Sequence, residues 1–352
     1  MSKTSLQEKM GIPDNLIQSA SILYSQLLET LKKKLRKDKL EYSFNFSPST
    51  PYKVGDENIF EIEFDIEILP NDSFSEVDYQ SMGFKSSAKY EKPGVSRIMS
   101  SIGKVELNMN IVTPEEYNPS DVVDWFANNK REIVSSLSHE LKHAYDAEKS
   151  GFQKMTSRSS YSAAGKTRFN LPPLDTLAFN IYYTHMIESL VRPTEIMAYL
   201  EEDKINKREF LNYLKSNKTY TRLKEVMNWN LPNAMNDIQH NYMDRVEEIL
   251  KLVDEDMDGS TDKEKVLFIL DLWVRNYIRN NVDAFVGQMG ENFMESLFGF
   301  SGNKARAIDR HINRISKIKD PLKFIQYEEN LTKTIASKVI RKISKLYDLL
   351  PD

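Results

Sequence analysis

The sequence predicts an α+β protein in which a small antiparallel sheet and its helices, over residues 1–202, are followed by an all-helical region over residues 203–352. Two observations predict this. Apolar and polar residues alternate with period two in several segments before residue 113, whereas after about Lys204 apolar residues recur only at helical spacing. With 352 residues, 40% of them hydrophobic, the chain is long enough to bury a core in each of two domains.

The first predicted element is an amphipathic helix over Leu16–Leu35. Lysines gather at its end, where they suit the negative C-terminal pole of the helix dipole. Its apolar residues form one broad stripe. The stripe consists of Ile17, Leu23, Leu27, Leu28 and Leu31.

Three segments with an alternating pattern predict strands over Leu40–Phe46, Ile59–Leu69 and Lys104–Val112. Residues 70–100 are mixed and rich in Ser, Pro and Gly, which predicts loops with one further strand near Gly83–Tyr90. Three or four such strands indicate a small antiparallel sheet.

The other elements are helices, separated by helix-breaking residues such as Pro114 and Pro119. Residues 150–173 predict a loop, and the last helix before residue 203 is expected to be interrupted at Pro193. Four or five further helical segments follow. The helical patterns before residue 203 cover Asp121–Asn128, Arg131–Lys149 and Leu177–Glu202.

The absence of cysteine excludes a disulfide scaffold, a thiolate zinc site and a cysteine nucleophile. Any metal must therefore be held by His, Asp or Glu.

Residues 1–11 lack the apolar segment of a signal peptide, and no stretch approaches the ~18 apolar residues that span a bilayer. We therefore expect a cytoplasmic protein without a membrane partner, while export without a signal, or packaging in a virion, stays open.

Basic residues are concentrated near the C-terminus. Residues 301–347 carry twelve Lys or Arg against four Asp or Glu, in a chain of net charge −4. Binding to nucleic acid is one interpretation. Solvated basic helix faces are the favoured one, because the charges alternate with Ile, Leu and Phe at helical spacing and few aromatic residues accompany them.

The strongest functional signal is the segment from His139 to His143, which has the pattern H-E-x-x-H. On a helix, these two histidines lie on one face about one turn apart, so both imidazoles can reach one metal ion. Glu140 projects beside the pair, where it can hold a water on the metal. The alternative is a chance match on an ordinary helix, and the charged Lys142 departs from the uncharged residues that are usual between the two histidines.

This segment resembles the active-site helix of the zincin metallopeptidases, which carries the same motif. In the metzincin branch a Gly and then a further His follow the motif, whereas here those positions hold Asp146 and Lys149, so that branch is excluded. The pattern is closer to that of the gluzincins, in which a Glu on a later helix completes the site. The resemblance covers about residues 100–200 and implies a zinc-dependent peptidase.

Under this resemblance, Glu195 is the preferred third zinc ligand. It lies three residues before Ala198, and this Glu-x-x-Ala step resembles the glutamate helix of many gluzincins. Pro193 would then stand at the first position of that helix. The alternative third ligands are Glu188, His185 and Asp146.

The implied mechanism uses zinc to lower the pKa of a water towards ~7, with Glu140 as the general base that passes its proton to the leaving amine. A further donor must stabilise the oxyanion. Lys104–Val112 precedes the motif as the sheet strand does in zincins, where an edge strand aligns an extended substrate, so a polypeptide is the expected substrate. Tyr183 and His185 are the oxyanion donors retained among the candidates Tyr182, Tyr183, His185 and Tyr199.

A non-enzymatic function stays open as well: a zincin fold kept as a structural or binding protein, for example a phage or virion component. The intact Glu140 favours the enzyme, because a scaffold has no need of a general base.

Residues 254–265 match the start of a calcium loop, D-x-D-x-D-G, but Lys265 stands where the bidentate Glu should be. The alternative is an interhelical turn in which Thr261 caps the next helix and Glu264 completes a capping box.

Overall fold

The computed structural model describes residues 12–13, 15–36, 39–40, 43–48, 52–54, 57–70, 83–91, 103–113, 118–149, 164, 166–296, 317 and 320–352. The chain forms two compact units, each assembled from separate stretches. The first unit comprises Met1–Phe152, Val191–Asn217 and Lys342–Asp352, and the second comprises Gln153–Leu190 and Lys218–Arg341. The boundary expected between residues 202 and 203 therefore falls inside the first unit.

The described elements up to residue 149 are one helix, then seven strands, then two helices. They are α1 (Leu16–Lys34), β1 (Leu35–Arg36), β2 (Lys39–Leu40), β3 (Ser43–Phe46), β4 (Tyr52–Val54), β5 (Glu57–Pro70), β6 (Gly83–Glu91), β7 (Gly103–Thr113), α2 (Pro119–Asn128) and α3 (Lys130–Lys149).

The described elements after residue 164 are all helical, as the sequence predicts. They are α4 (Pro172–Tyr183), α5 (Met186–Glu202), α6 (Phe210–Ser216), α7 (Lys218–Asn228), α8 (Leu231–Asn241), α9 (Met243–Leu252), α10 (Asp262–Ser296), α11 (Pro321–Ser344) and a 3-10 helix over Lys345–Leu349. Within the described ranges, none of the helices combines the length and the apolar character that a bilayer crossing requires. Most of the predicted loop at residues 150–173 lies outside the described residues.

The main sheet has the strand order β3-β5-β7-β6, with β4 also paired to β5. β5 and β7 run parallel at its centre, and the pairs β3 with β5, β4 with β5 and β6 with β7 are antiparallel. The sheet is therefore mixed, and the prediction of an antiparallel sheet is wrong. In chain order β6 follows β5, but in the sheet β7 lies between β5 and β6. Because β7 is antiparallel to β6, it runs in the same direction as β5.

Side chains on β5 alternate between a buried and a half-buried face, as the period-two pattern predicts. Phe64 and Ile66 are fully buried, whereas Glu63 and Asp65 are partly exposed. Helix α3 packs against β6, β7 and α1. The same helix contributes an apolar stripe to this core. The stripe consists of Ile133, Val134, Leu137, Leu141 and Ala144.

Residues near the C-terminus close on the segment after α5, which explains why the first unit is not contiguous. The backbone N–H of Lys207 donates to the carbonyl of Pro351 at 3.0 Å, and its ammonium pairs with Asp352 at 2.5 Å. The ring of Phe210 lies 5.9 Å from that of Tyr347. Because these contacts join residues far apart in sequence, helical periodicity could not predict them.

The second unit has its own apolar core, in which the rings of Trp273 and Tyr277 on α10 are stacked 5.4 Å apart. The ring of Phe324 on α11 meets Tyr277 edge-on at 5.7 Å. Glu328 lies one turn after Phe324 and is 2% exposed. This burial raises the pKa of the Glu328 carboxyl to about 7.

The acidic turn between α9 and α10 has the predicted capping box. The Thr261 backbone N–H donates to the Glu264 carboxylate at 2.8 Å, and the Glu264 N–H donates to the Thr261 hydroxyl at 3.3 Å. Lys265, which stands at the last ligand position of the calcium pattern, pairs with Glu247 at 2.5 Å. These contacts favour the interhelical turn.

Part of the basic C-terminal segment, mostly residues 301–319, lies outside the described residues. On α11, Lys333 pairs with Glu329 at 2.7 Å, and Lys338 and Arg341 are exposed. Phe324 and Ile343 on the same helix are fully buried. Helix α11 therefore has the amphipathic arrangement that the spacing of its apolar and basic residues predicts.

The buried Glu328 predicts a pH dependence of stability. Its pKa is about 7 in the fold against an ordinary value of 4.5, so the fold favours the neutral carboxyl. The stabilisation is complete below pH 4.5 and is lost as the pH rises to about 7, by at most about 3 kcal/mol. Glu328→Gln should remove this loss. Urea unfolding at several pH values checks it, with the exposed Glu255→Gln as control. A variant whose stability falls with pH as steeply as the wild type would contradict the assignment.

Candidate metal centre

Helix α3 carries the H-E-x-x-H segment, as the sequence predicts. Helix α3 packs against α1, β6 and β7, and its apolar stripe is buried. His139 and His143 project from a different side of the helix, and Glu140 lies between them and the stripe. His139 and His143 are partly buried, and Glu140 is 9% exposed. The helix thus holds the three groups at the rim of the core of the first unit.

The two imidazoles meet through the nitrogens that a metal would use. The Nε2 atoms of His139 and His143 are 2.9 Å apart, and the ring planes are inclined at 80°. One ligand atom each of His139, Glu140 and His143 lies within 4.8 Å of the other two. Among the described residues, this group alone brings three such side chains close enough to hold a metal ion.

These donors fit a zinc-type ion. Two nitrogen ligands on tetrahedral zinc, with bonds of ~2.0–2.1 Å, are about 3.3 Å apart. The observed separation of 2.9 Å therefore requires the two rings to part by a few tenths of an ångström, which small side-chain rotations can provide. The nitrogen and oxygen donors, without any thiolate, suit zinc but do not single it out among divalent metals.

The two helices after the loop break at a different residue from the one predicted. Helix α4 ends at Tyr183 and α5 begins at Met186, so Pro193 lies inside α5 rather than at its start. The Thr184 hydroxyl donates to the carbonyl of Asn180 at 2.7 Å, a contact that bends helices. The predicted interruption at Pro193 is therefore wrong, and Glu195 lies in the middle of α5.

Glu195 is in direct contact with the motif. Its Oε1 lies 2.6 Å from Nδ1 of His139, and the same oxygen accepts a hydrogen bond from Nη1 of Arg192 at 2.6 Å. Its backbone carbonyl accepts a hydrogen bond from the Ser135 hydroxyl at 3.4 Å. The structure thus brings Glu195 beside His139, while its role as third ligand stays a prediction.

Two effects act on the charge state of His139. Burial of the ring disfavours the imidazolium, but the hydrogen bond and the negative charge of Glu195 favour it more strongly, so the pKa of His139 is raised above its ordinary value. Arg192 acts in the opposite direction. Metal binding requires the neutral ring and would have to overcome this preference.

The remaining predicted site residues are divided between the two units. Tyr182, Tyr183, His185 and Glu188 belong to the second unit, where the Tyr183 hydroxyl donates to the carbonyl of Thr219 at 3.3 Å. Tyr199 belongs to the first unit and lies one turn after Glu195 on α5. Burial raises the pKa of the Tyr199 hydroxyl, and the charge of Glu132 raises it further.

Sequence reasoning missed Arg192 and undervalued Lys142. Lys142 is 3% exposed and pairs with Asp146 at 2.5 Å, one turn along α3. This pair explains how a charged residue fits between the two histidines, and it engages Asp146, one of the alternative third ligands. Both Lys142 with Asp146 and Arg192 with Glu195 have helical pair spacing, which is the signal that could have revealed them.

Comparison with models of protein families, with curated proteins and with solved structures gave no significant match. The resemblance to zincins therefore depends on the His139–His143 motif alone.

The geometry predicts that the purified protein holds about one divalent metal ion per chain, with zinc expected. His139→Ala or His143→Ala should abolish this binding, because each removes one of the two converging imidazoles. Metal analysis of the purified variants checks it. His240→Ala is the control, since His240 is exposed on α8. Full metal retention in either motif variant would exclude the site.

Proposed function

We propose that this protein is a zinc-dependent peptidase that hydrolyses peptide bonds at the His139, Glu140 and His143 group. The observation that supports the proposal is the convergence of two imidazole nitrogens, 2.9 Å apart, with a carboxylate within 4.8 Å. Hydrolytic zinc sites combine such imidazole ligands with a carboxylate that handles protons.

In this proposal His139 and His143 hold the metal, and when bound there it supplies an acidified water near neutral pH. Glu140 acts as the general base: its carboxylate accepts a proton from the attacking water and delivers it to the nitrogen of the leaving amine. At 9% exposed, Glu140 is sheltered from bulk solvent, which strengthens its interactions with charge in the site.

The expectation that Lys104–Val112 forms an edge strand is wrong. β7, which includes Lys104–Val112, lies between β5 and β6 and has no open edge for a substrate. In the described part of the chain β6 pairs on one side only, with β7, and α3 packs against β6. We therefore propose that an extended polypeptide aligns along β6 by main-chain pairing.

An oxyanion donor is also needed. Tyr199 is the candidate that belongs to the same unit as the motif helix. The guanidinium of Arg131 lies over the Tyr199 ring, 5.7 Å from the ring centroid. The roles predicted for Tyr183 and His185 stay predictions.

A non-catalytic scaffold is the second candidate function. The observation that favours it is the continuous chain of contacts from Arg192 through Glu195 and His139 to His143, which links α3 to α5. Under this alternative, metal binding would contribute stability without catalysis.

Glu140→Gln separates the two functions. The substitution keeps the size of the side chain and one acceptor oxygen but removes the base, so metal content should persist while cleavage of an unstructured protein such as casein falls by ~10²–10⁴-fold. Exposed Glu225→Gln serves as control and should cleave like the wild type. Inhibition by a zinc chelator verifies that the activity depends on metal.

Two results would count against the peptidase. Equal cleavage by wild type and Glu140→Gln would show that Glu140 is not the base. Metal retention by both proteins, with no cleavage across a broad peptide library, would favour the scaffold.

A further inference from the structure

We infer that Glu195 acts on the metal site through His139, as a positioning residue backed by Arg192, rather than as the third metal ligand. This inference rests on the proposed metal site and departs from the role that the resemblance implies. It assigns a function to Arg192, to which the sequence pattern gives none.

The first argument is the position of Glu195 relative to the His139 ring. Oε1 of Glu195 lies 2.6 Å from Nδ1, and Nε2 of His143 lies 2.9 Å from Nε2 of the same ring. The two contacts use different nitrogens, which point away from each other across the imidazole. An ion shared by the two Nε2 atoms therefore lies on the side of the ring that faces away from Glu195.

The second argument concerns the charge of Glu195. The same Oε1 accepts the hydrogen bond from Arg192 at 2.6 Å, and both residues are 8% exposed. A buried carboxylate needs a cation and hydrogen bonds to offset its lost hydration. Arg192 and His139 supply these contacts, so Glu195 is satisfied without a metal.

The third argument is that the backbone of Glu195 is fixed as well as its side chain. Ser135 lies one turn before His139 on α3, and its hydroxyl donates to the Glu195 backbone carbonyl at 3.4 Å. Two contacts between α3 and α5 therefore set the distance from the carboxylate to the ring. This matches the arrangement in which a carboxylate orients a ligating histidine from outside the metal shell.

The consequence is a defined tautomer of His139. When Glu195 accepts a hydrogen bond from Nδ1–H, the neutral ring must present the lone pair of Nε2, because only one nitrogen of a neutral imidazole carries a proton. Nε2 is the nitrogen that faces His143. Glu195 thus prepares His139 to bind a metal at the same place as His143.

The decisive comparison is between Glu195→Gln and Glu195→Ala in the full chain. Gln keeps an oxygen that can accept from Nδ1–H, so we expect its zinc affinity to stay within a few-fold of the wild type. Ala removes the acceptor and should weaken zinc binding ~10–100-fold, as loss of an outer-shell partner does. Competition with a chromogenic chelator measures both. Exposed Glu201→Ala on α5 is the control for effects of truncation on the helix.

A spectroscopic readout tests the tautomer directly in the metal-free protein. The chain has five histidines, so ¹⁵N-histidine labelling gives a small set of ring signals, and the His139→Asn variant assigns the one of interest. At a pH of about 9, well above the ordinary imidazole pKa, wild type and Glu195→Gln should show His139 protonated at Nδ1. Loss of that preference in Glu195→Ala is the expected signature of positioning.

The outcomes separate this inference from the proposed function. If Glu195→Gln and Glu195→Ala abolish zinc binding equally, Glu195 is a ligand. That result would overturn the inference, while the metal site would stand. If the wild type binds no metal, the metal site fails, and the tautomer measurement still decides whether Glu195 orients His139. A neutral His139 ring that carries its proton on Nε2 rather than on Nδ1 in the wild type would overturn the inference outright.

Discussion

The contact between α3 and α5 is the interaction on which the rest of the site depends. Helix α3 alone would place two imidazoles and a carboxylate on one face, but their rings could adopt several orientations. The hydrogen bonds from Ser135 and His139 to Glu195 hold α5 against this face and fix one of those rings. The apolar stripe of α3 is buried, and the helix packs against α1 and the sheet, so these contacts hold α3 in place.

Local features of this fold could be predicted from the sequence, and long-range ones could not. Strands β5, β6 and β7 and helices α1 and α3 lie within two residues of their predicted bounds, because apolar periodicity reports which face of each element is buried. The pairing of β7 with β5 in parallel, and the closure of the C-terminus on Lys207, depend on partners far along the chain. No periodicity encodes such partners.

The candidate site shows the same division. The proximity of His139 and His143 follows from helical geometry and is predictable from their spacing. Proline is the stronger local signal and predicts a break at Pro193, whereas the structure has the break at Thr184. In the fold a proline is tolerated within α5, and a threonine hydroxyl bonded to the carbonyl of Asn180 marks the break instead. The resemblance to gluzincins points to Glu195, but only the structure shows which nitrogen of His139 it faces.

Charge balance around the histidines supports Glu195 as an outer partner. Two carboxylates near the motif are each paired with a cation on their own helix, Asp146 with Lys142 and Glu195 with Arg192. Such pairing lowers the cost of burying a carboxylate, and it also reduces the negative charge that reaches the imidazoles. Glu140 is the acidic side chain within the group itself. If His139 and His143 hold a divalent cation as proposed, neutral imidazoles would leave it most of its charge, and that charge would lower the pKa of a bound water.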